Sequence, residues 1–264
     1  MSLLAVRRCL PILGLFALLS PAGAAQWSGA VTLVGRHSPD YLGARESGYS
    51  VRPGLFVRYG RVTASSGAGF AARREDAELR GLGVDLTKSD DHDLSLGLRV
   101  DRGRDESRNP ALAGMGDVKA TLRLRVGGSW RFAPEWQVRG NWTLDAFGRG
   151  GGNIVDLKLQ HDWMLMPRVE LTSSATLTIG GERYMQTWFG VTPEQSVRSG
   201  HPVYEPKLGV RDLTLALSVK TEVGEDWVFI GGPAYTRMLG PAARSPLVQR
   251  RSAWLLSAGV GYRF

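Results

Sequence analysis

The sequence predicts an all-β protein, an antiparallel β-barrel that crosses a membrane. Three observations predict it. The chain ends on a strand with one continuous apolar face. Segments of alternating polarity recur at the length a tilted spanning strand needs. The connections between those segments alternate between short and long. About twelve strands are expected, ten being the alternative, with short periplasmic turns and long external loops.

The closing strand is Trp254–Phe264. Trp254, Leu256, Ala258, Val260, Tyr262 and Phe264 take every second position and are all apolar or aromatic. Successive strand side chains point to opposite faces, so these six share one face. Leu255, Ser257, Gly259, Gly261 and Arg263 lie between them, smaller or more polar except for Leu255. A soluble sandwich can end on such a strand. A terminal Phe with an aromatic two residues earlier resembles the last strand of bacterial outer-membrane barrels. That resemblance implies that Leu256, Val260, Tyr262 and Phe264 form a signal read by the barrel-assembly machinery.

At the other end, Arg7 and Arg8 precede the apolar run Leu10–Leu19, followed by Ser20-Pro21 and Ala22-Gly23-Ala24. A basic start, a short apolar run and a small-x-small site are the parts of a secretory leader. Residues 1–25 are therefore expected to be cleaved, and 26–264 to form the barrel. The apolar run falls short of the roughly 20 residues a spanning helix needs, and no later stretch reaches that length. Cys9, the sole cysteine, lies in the leader, so the mature chain offers neither disulfides nor thiolate chemistry.

Composition agrees. Hydrophobic residues make up 43% and mean hydropathy is −0.14, far from a helical membrane protein. Lipid-facing and lumen-facing residues alternate along a barrel strand, so their average looks soluble. Thirty-four glycines and eight tryptophans suit tight turns and interfacial aromatic belts. The net charge is +8; Arg7 and Arg8 contribute two of it, leaving +6 in the mature chain. An exported basic chain meets lipid A phosphates of lipopolysaccharide and phospholipid heads first, so lipid is the expected partner rather than nucleic acid.

The elements follow in order. Trp27–Val34 leads into the long connection Gly35–Gly48. Tyr49–Tyr59 and Val62–Phe70 form a hairpin turned at Gly60. Beyond Ala71–Leu79, Arg80–Lys88 and Leu94–Val100 are joined through Ser89–Asp93. The long stretch Asp101–Asp117 precedes Val118–Trp130 and Trp136–Ala146, which flank Phe132–Glu135. After Phe147–Asn153 come Val155–Leu165 and Val169–Ile179, joined by Met166–Arg168. Gly180–Leu208 reads as a very long loop. Leu213–Thr221 and Trp227–Met238 turn at Val223–Asp226, and Leu239–Ser252 leads to the closing strand.

This alternation puts every short turn, and both termini, at one end. Tyr59, Trp130, Phe132, Trp136, Trp163, Trp227 and Tyr262 gather there and form one interfacial belt. In the Gly180–Leu208 loop, Tyr184, Trp188 and Phe189 are expected to pack on the barrel mouth, because mobile segments are poor in aromatics. Its polar stretch Gln195–Gly200 is expected to form an exposed tip.

Inward faces are polar. Lys119, Thr121, Arg123 and Arg125 oppose Val118, Ala120, Leu122 and Leu124, and Asp212, Thr214, Ser218 and Lys220 recur similarly. Arg52, Arg58, Asp85, Arg99, Arg139, Asp145, Asp156, Lys158 and Asp162 are further inward charges. Either they pair across a narrow lumen and fill it, the favoured reading, or they line an anion-preferring pore.

No catalytic, cofactor or metal residue is expected. Asp90-Asp91-His92-Asp93 reads as a solvated hairpin turn, since four consecutive residues cannot converge on one ion. His161-Asp162 resembles a barrel-protease pair, but strand neighbours face opposite sides. His37-Ser38 and His201 lack an acid–base partner. Gly148 and Gly150–Gly152 form a loop tip.

The loops carry a family resemblance. Leu112-Ala113-Gly114-Met115-Gly116-Asp117 and Trp188-Phe189-Gly190-Val191-Thr192-Pro193-Glu194-Gln195-Ser196 resemble two loop signatures of the MltA-interacting protein (MipA/OmpV) family. Pro39-Asp40-Tyr41-Leu42-Gly43, Tyr204 with Pro206, Arg211-Asp212, Arg237 with Leu239-Gly240, Ser245-Pro246 and the ending Gly259–Phe264 are also similar. Trp188 departs from the family's usual tyrosine. The resemblance implies an outer-membrane barrel without catalytic residues, scaffolding a lytic transglycosylase with a murein synthase. A small-solute or anion pore of the outer membrane is the alternative, and a barrel enzyme relying on His161 the third reading.

Overall fold

A computed structural model describes residues 27–66 and 81–264. The expected leader, the end of the expected strand Val62–Phe70, and the connection Ala71–Leu79 lie outside the described residues. The strands are β1 (Trp27–Pro39), β2 (Ser47–Tyr59), β3 (Val62–Ser65), β4 (Gly81–Lys88), β5 (His92–Asp101) and β6 (Thr121–Ala133). They continue as β7 (Trp136–Asp145), β8 (Asn153–Met166), β9 (Val169–Gly180), β10 (Gly209–Val223), β11 (Trp227–Met238) and β12 (Ser252–Arg263). Each pairs antiparallel with its sequence neighbours, and β12 returns to β1, closing a twelve-stranded barrel.

Closure matters because an open edge in hydrocarbon leaves backbone groups unsatisfied at several kcal/mol each. Ala30 pairs with Arg263 and His37 with Leu256 across the closing seam. Phe264 extends it by exchanging two backbone hydrogen bonds with Gly29, both 3.0 Å.

Burial is inverted relative to a soluble domain. Leu33, Leu55, Leu82, Leu157, Leu217 and Leu256 stand 45–59% exposed on the outer surface. Thr63, Ser95, Thr121, Arg123, Ser129 and Thr143 are buried inside. An apolar band of this extent is stable only against lipid. The barrel therefore belongs in the bacterial outer membrane.

The aromatic belt gathers at the short-turn end. Trp27 and Tyr59 lie 4.6 Å apart between ring centroids, and Trp227 and Tyr262 5.2 Å. Trp130, Phe132, Trp136, His161 and Trp163 form a continuous chain of rings. At the long-connection end, Tyr235 and Trp254 pair at 5.1 Å, and Tyr49 on β2 is exposed. Two girdles are thus present where the sequence pointed to one.

Several elements differ from the sequence reading; β10, for one, begins at Gly209 rather than Leu213. β1 runs on to Pro39, paired with Ser47 of β2. Beyond Val34 the outward positions are Gly35 and His37, beside Val51 and Leu256, so the apolar alternation stops while the pairing continues. β6 starts at Thr121; Val118 instead bridges Arg104, and Lys119 is exposed before the strand. Gly180–Leu208 is not a bare loop. It holds helices α1 (Glu182–Phe189) and α2 (Pro193–Ser199), both shorter than the roughly 11–18 residues over which helical periodicity is read.

The lumen wall is a lattice of ion pairs. Arg58 meets Asp85 at 3.0 Å, Arg123 meets Asp101 at 2.9 Å, and Arg139 meets Asp93 at 3.5 Å. These pairs join strands one or two places apart along the wall; none of them crosses the lumen. The inward positions of β10–β12 include the small residues Ala216, Ala234, Ser257 and Gly259, beside the larger Ile230 and Leu255.

Candidate functional site

The long-connection end carries the features that go beyond a bare barrel. There, α1 lies against the rim and closes part of the mouth. Tyr184, Met185 and Phe189 are its buried residues, packing with Ile154 of β8, Met238 of β11 and Ala242. Ala242 belongs to a short 3₁₀ turn in the β11–β12 connection. Trp188 borders the same cluster. The apolar face of α1 follows from Tyr184, Met185, Trp188 and Phe189 falling at spacings of one, three and four.

α2 is set by its ends. Thr192 caps it through a reciprocal capping box with Gln195, Pro193 opens it, and Gly200 at φ 75° ends it. The Gln195 side-chain amide donates to the Met115 carbonyl at 2.6 Å. Gly114 has φ 80°, and a Cβ there would lie 2.7 Å from the Arg198 backbone. The stretch Gln195–Gly200, expected as an exposed tip, is therefore mostly helical and pinned to the β5–β6 connection.

A second apolar cluster joins the two signature loops to the last connection. Met115, Val191 and Leu247 are buried together beside Tyr204. Val191 bridges Tyr204 in the backbone, and the Tyr204 hydroxyl donates to the Pro241 carbonyl at 2.7 Å. Ser245 donates to the Phe189 carbonyl at 2.6 Å. Glu106 accepts from Gly116 N–H at 2.8 Å, and Asp117 accepts from Glu106 N–H at 3.0 Å. Gly190 leaves room for the Gln186 side chain, 2.3 Å from where a Cβ would stand. Gly114, Met115, Gly116 and Asp117 thus meet Phe189, Gly190, Val191 and Thr192 in one cap.

The sequence of residues 31–264 matches the family described as MltA-interacting protein MipA. The chain belongs to that family. No curated protein matches the chain significantly. Among solved structures, a FadL homologue of Pseudomonas aeruginosa is 11% identical, with 90% of this chain and 89% of that one covered and a TM-score of 0.39. The NanC porin is 9% identical, with 88% and 98% covered and a TM-score of 0.46. An outer membrane channel of Pseudomonas putida F1 is 10% identical, with 93% and 100% covered and a TM-score of 0.44. These likenesses are too distant to bear on this chain's activity.

Between α1 and the rim lies a cavity of about 360 Å³. Arg99, Arg102, Arg104, Arg108, Arg123 and Arg211 line it, against three carboxylates, Asp40, Asp101 and Asp105. A β-bulge between Val210 and Asp212 sets Arg211, which bonds Asp212 and donates to the Tyr184 hydroxyl at 2.8 Å. Arg104 lies 6.0 Å from the centre of the Trp188 ring and donates to the Trp188 carbonyl at 3.3 Å. Burial pulls the Arg104 guanidinium below its ordinary value, opposed by Glu106, Tyr41 and Asp117 nearby. Sequence reading missed this cavity, because its walls come from separate connections.

The other candidates resolve singly. His161 is buried on the outer face between Trp136 and Trp163, 3.4 Å from Glu135. Asp162 faces inward and accepts from Thr172 at 2.7 Å. His92 meets Ser89 within its turn at 2.7 Å, and His201 meets the Ala111 carbonyl at 3.2 Å. On the closing strand, Leu256, Tyr262 and Phe264 are exposed outward with Val260 on the same face. The Phe264 ring lies over Gly29, 2.6 Å from where a Cβ would stand.

Proposed function

We propose that this protein is a non-enzymatic outer-membrane barrel that holds a lytic transglycosylase, and through it a murein synthase, at the inner surface of the outer membrane. The observation that carries the reading is the family match over residues 31–264. In this reading residues 1–25 are the leader, the short turns face the periplasm and the cap faces outward. The docking surface is then limited to those turns, which carry exposed Asp90, Asp91, Glu135 and Asp226. Photo-crosslinkers placed at Asp90, Glu135 and Asp226 test it. Capture of a murein hydrolase from at least one turn is expected; capture from none of the turns overturns the reading.

A small-solute pore is the second reading. The small inward residues of β10–β12, opposite a charged wall on β5–β7, favour it. Planar-bilayer recording separates the two: steady single-channel currents support the pore, and a silent bilayer supports the tether.

A further inference from the structure

The tethering reading leaves the cavity beneath α1 without a role, although its chemistry is selective. We propose that it binds a small ring-bearing carboxylate, with Arg102 and Arg104 meeting the carboxylate and Trp188 and Tyr184 facing the ring. The proposal does not rest on tethering, which uses the opposite end of the barrel.

Charge is the first support. Six arginines border the cavity against three aspartates. Arg123 is matched by Asp101 at 2.9 Å, and Arg211 by Asp212. Arg102 is exposed and carries no ion pair among the described residues. Arg104 bonds a carbonyl and faces an aromatic ring; Glu106 and Asp117 act on it from a distance, and it forms no ion pair with a carboxylate among the described residues. A guanidinium presents a planar fork that fits a carboxylate.

The arginines are also held in place. Gly103 between them adopts φ 73°, and a Cβ there would lie 1.8 Å from the Val118 carbonyl oxygen. Gly103 N–H donates to Asp101 at 3.0 Å. Arg104 exchanges two backbone bonds with Val118, at 3.0 and 2.8 Å. The backbone that carries the pair, and the Arg104 side chain against Trp188, are thus fixed before any ligand arrives, which lowers the entropy cost of binding.

Polar balance is the third support. Arg104 Nε and Trp188 Nε1 are buried without a hydrogen-bond partner. Both are donors, so this wall is short of acceptors, which an anion supplies. The rest of the lining includes Leu112, Ile154, Tyr184, Trp188 and Phe189. An inorganic anion would leave that surface uncovered. A cavity of about 360 Å³ admits a ring with its carboxylate.

The test is calorimetric titration of the mature chain, purified in detergent, with 2-naphthoate, neutral 2-naphthamide and inorganic phosphate. Saturable binding of 2-naphthoate is expected, with the amide about tenfold weaker or worse, the loss of one charge-assisted hydrogen bond. Arg102→Gln and Arg104→Gln should each weaken 2-naphthoate binding about tenfold. Arg102 is exposed, so its variant keeps the fold, checked by heat-modifiable gel migration. Arg168→Gln, at the opposite end, should bind as the unaltered protein does. The proposal is overturned by no binding of 2-naphthoate at millimolar concentration, by equal affinity for acid and amide, by phosphate binding as tightly, or by unchanged affinity in the Arg102 variant.

Discussion

Arg123 is one of the two most deeply buried charges among the described residues, 1% exposed, held by Asp101 at 2.9 Å and the Gly152 carbonyl at 3.2 Å. Removing one partner of such a pair strands the other charge, at about 3–5 kcal/mol for full burial. Asp101 is partly exposed, so Arg123→Ala should cost near the low end, about 3 kcal/mol, read by urea unfolding in micelles. A loss under about 1 kcal/mol, the range of surface pairs, would show that the wall lattice adds little. Phe264 acts differently. It is 67% exposed to lipid, so its contribution to the folded barrel lies below the roughly 1.5–3 kcal/mol of a fully buried aromatic. As an assembly signal, Phe264→Ala should lower the amount inserted per cell while the inserted fraction melts almost normally. Normal insertion with a large drop in melting temperature would make it a packing residue.

Strands were legible at the scale of elements because their signal is local. A period of two shows wherever one face meets lipid, as in Leu213–Val219 or Trp254–Phe264. It fades where β1 runs past Val34, since its outward positions there are Gly35 and His37, which carry no apolar mark. The cap was half legible. Tyr184 and Phe189 pack on the mouth as their aromatic character suggested, but α1 and α2 are shorter than the roughly 11–18 residues over which helical periodicity is read. The signal for α2 was present in Thr192, Pro193 and Gln195, a cap written in three residues. Gly114 ties that helix down. Gly114→Val should collide with the Arg198 backbone and strain a φ of 80°, freeing α2. Limited proteolysis of the purified barrel should then cut within 193–200 in the variant and spare the unaltered protein. Equal cutting of both would mean that Gly114 does not lock the cap.

Over the whole molecule, closure, an apolar outer band and a polar interior follow from one alternating pattern, and all twelve strands could be placed from it. The arginine cavity could not be. Its walls come from the β1–β2, β5–β6 and β9–β10 connections, and Arg102-Gly103-Arg104 reads in isolation as a solvated turn. The proposed topology is a spanning barrel with its cap outside and its short turns in the periplasm. It is tested most directly by single cysteines in a Cys9→Ser background, Val197→Cys on the cap and Asp90→Cys on a short turn. Val197 is 88% exposed and Asp90 is also exposed. With a membrane-impermeant maleimide on intact cells, the Val197 variant should label at once and the Asp90 variant only after the outer membrane is opened. The reverse pattern would invert the topology, and equal labelling of both on intact cells would contradict a barrel that spans the membrane.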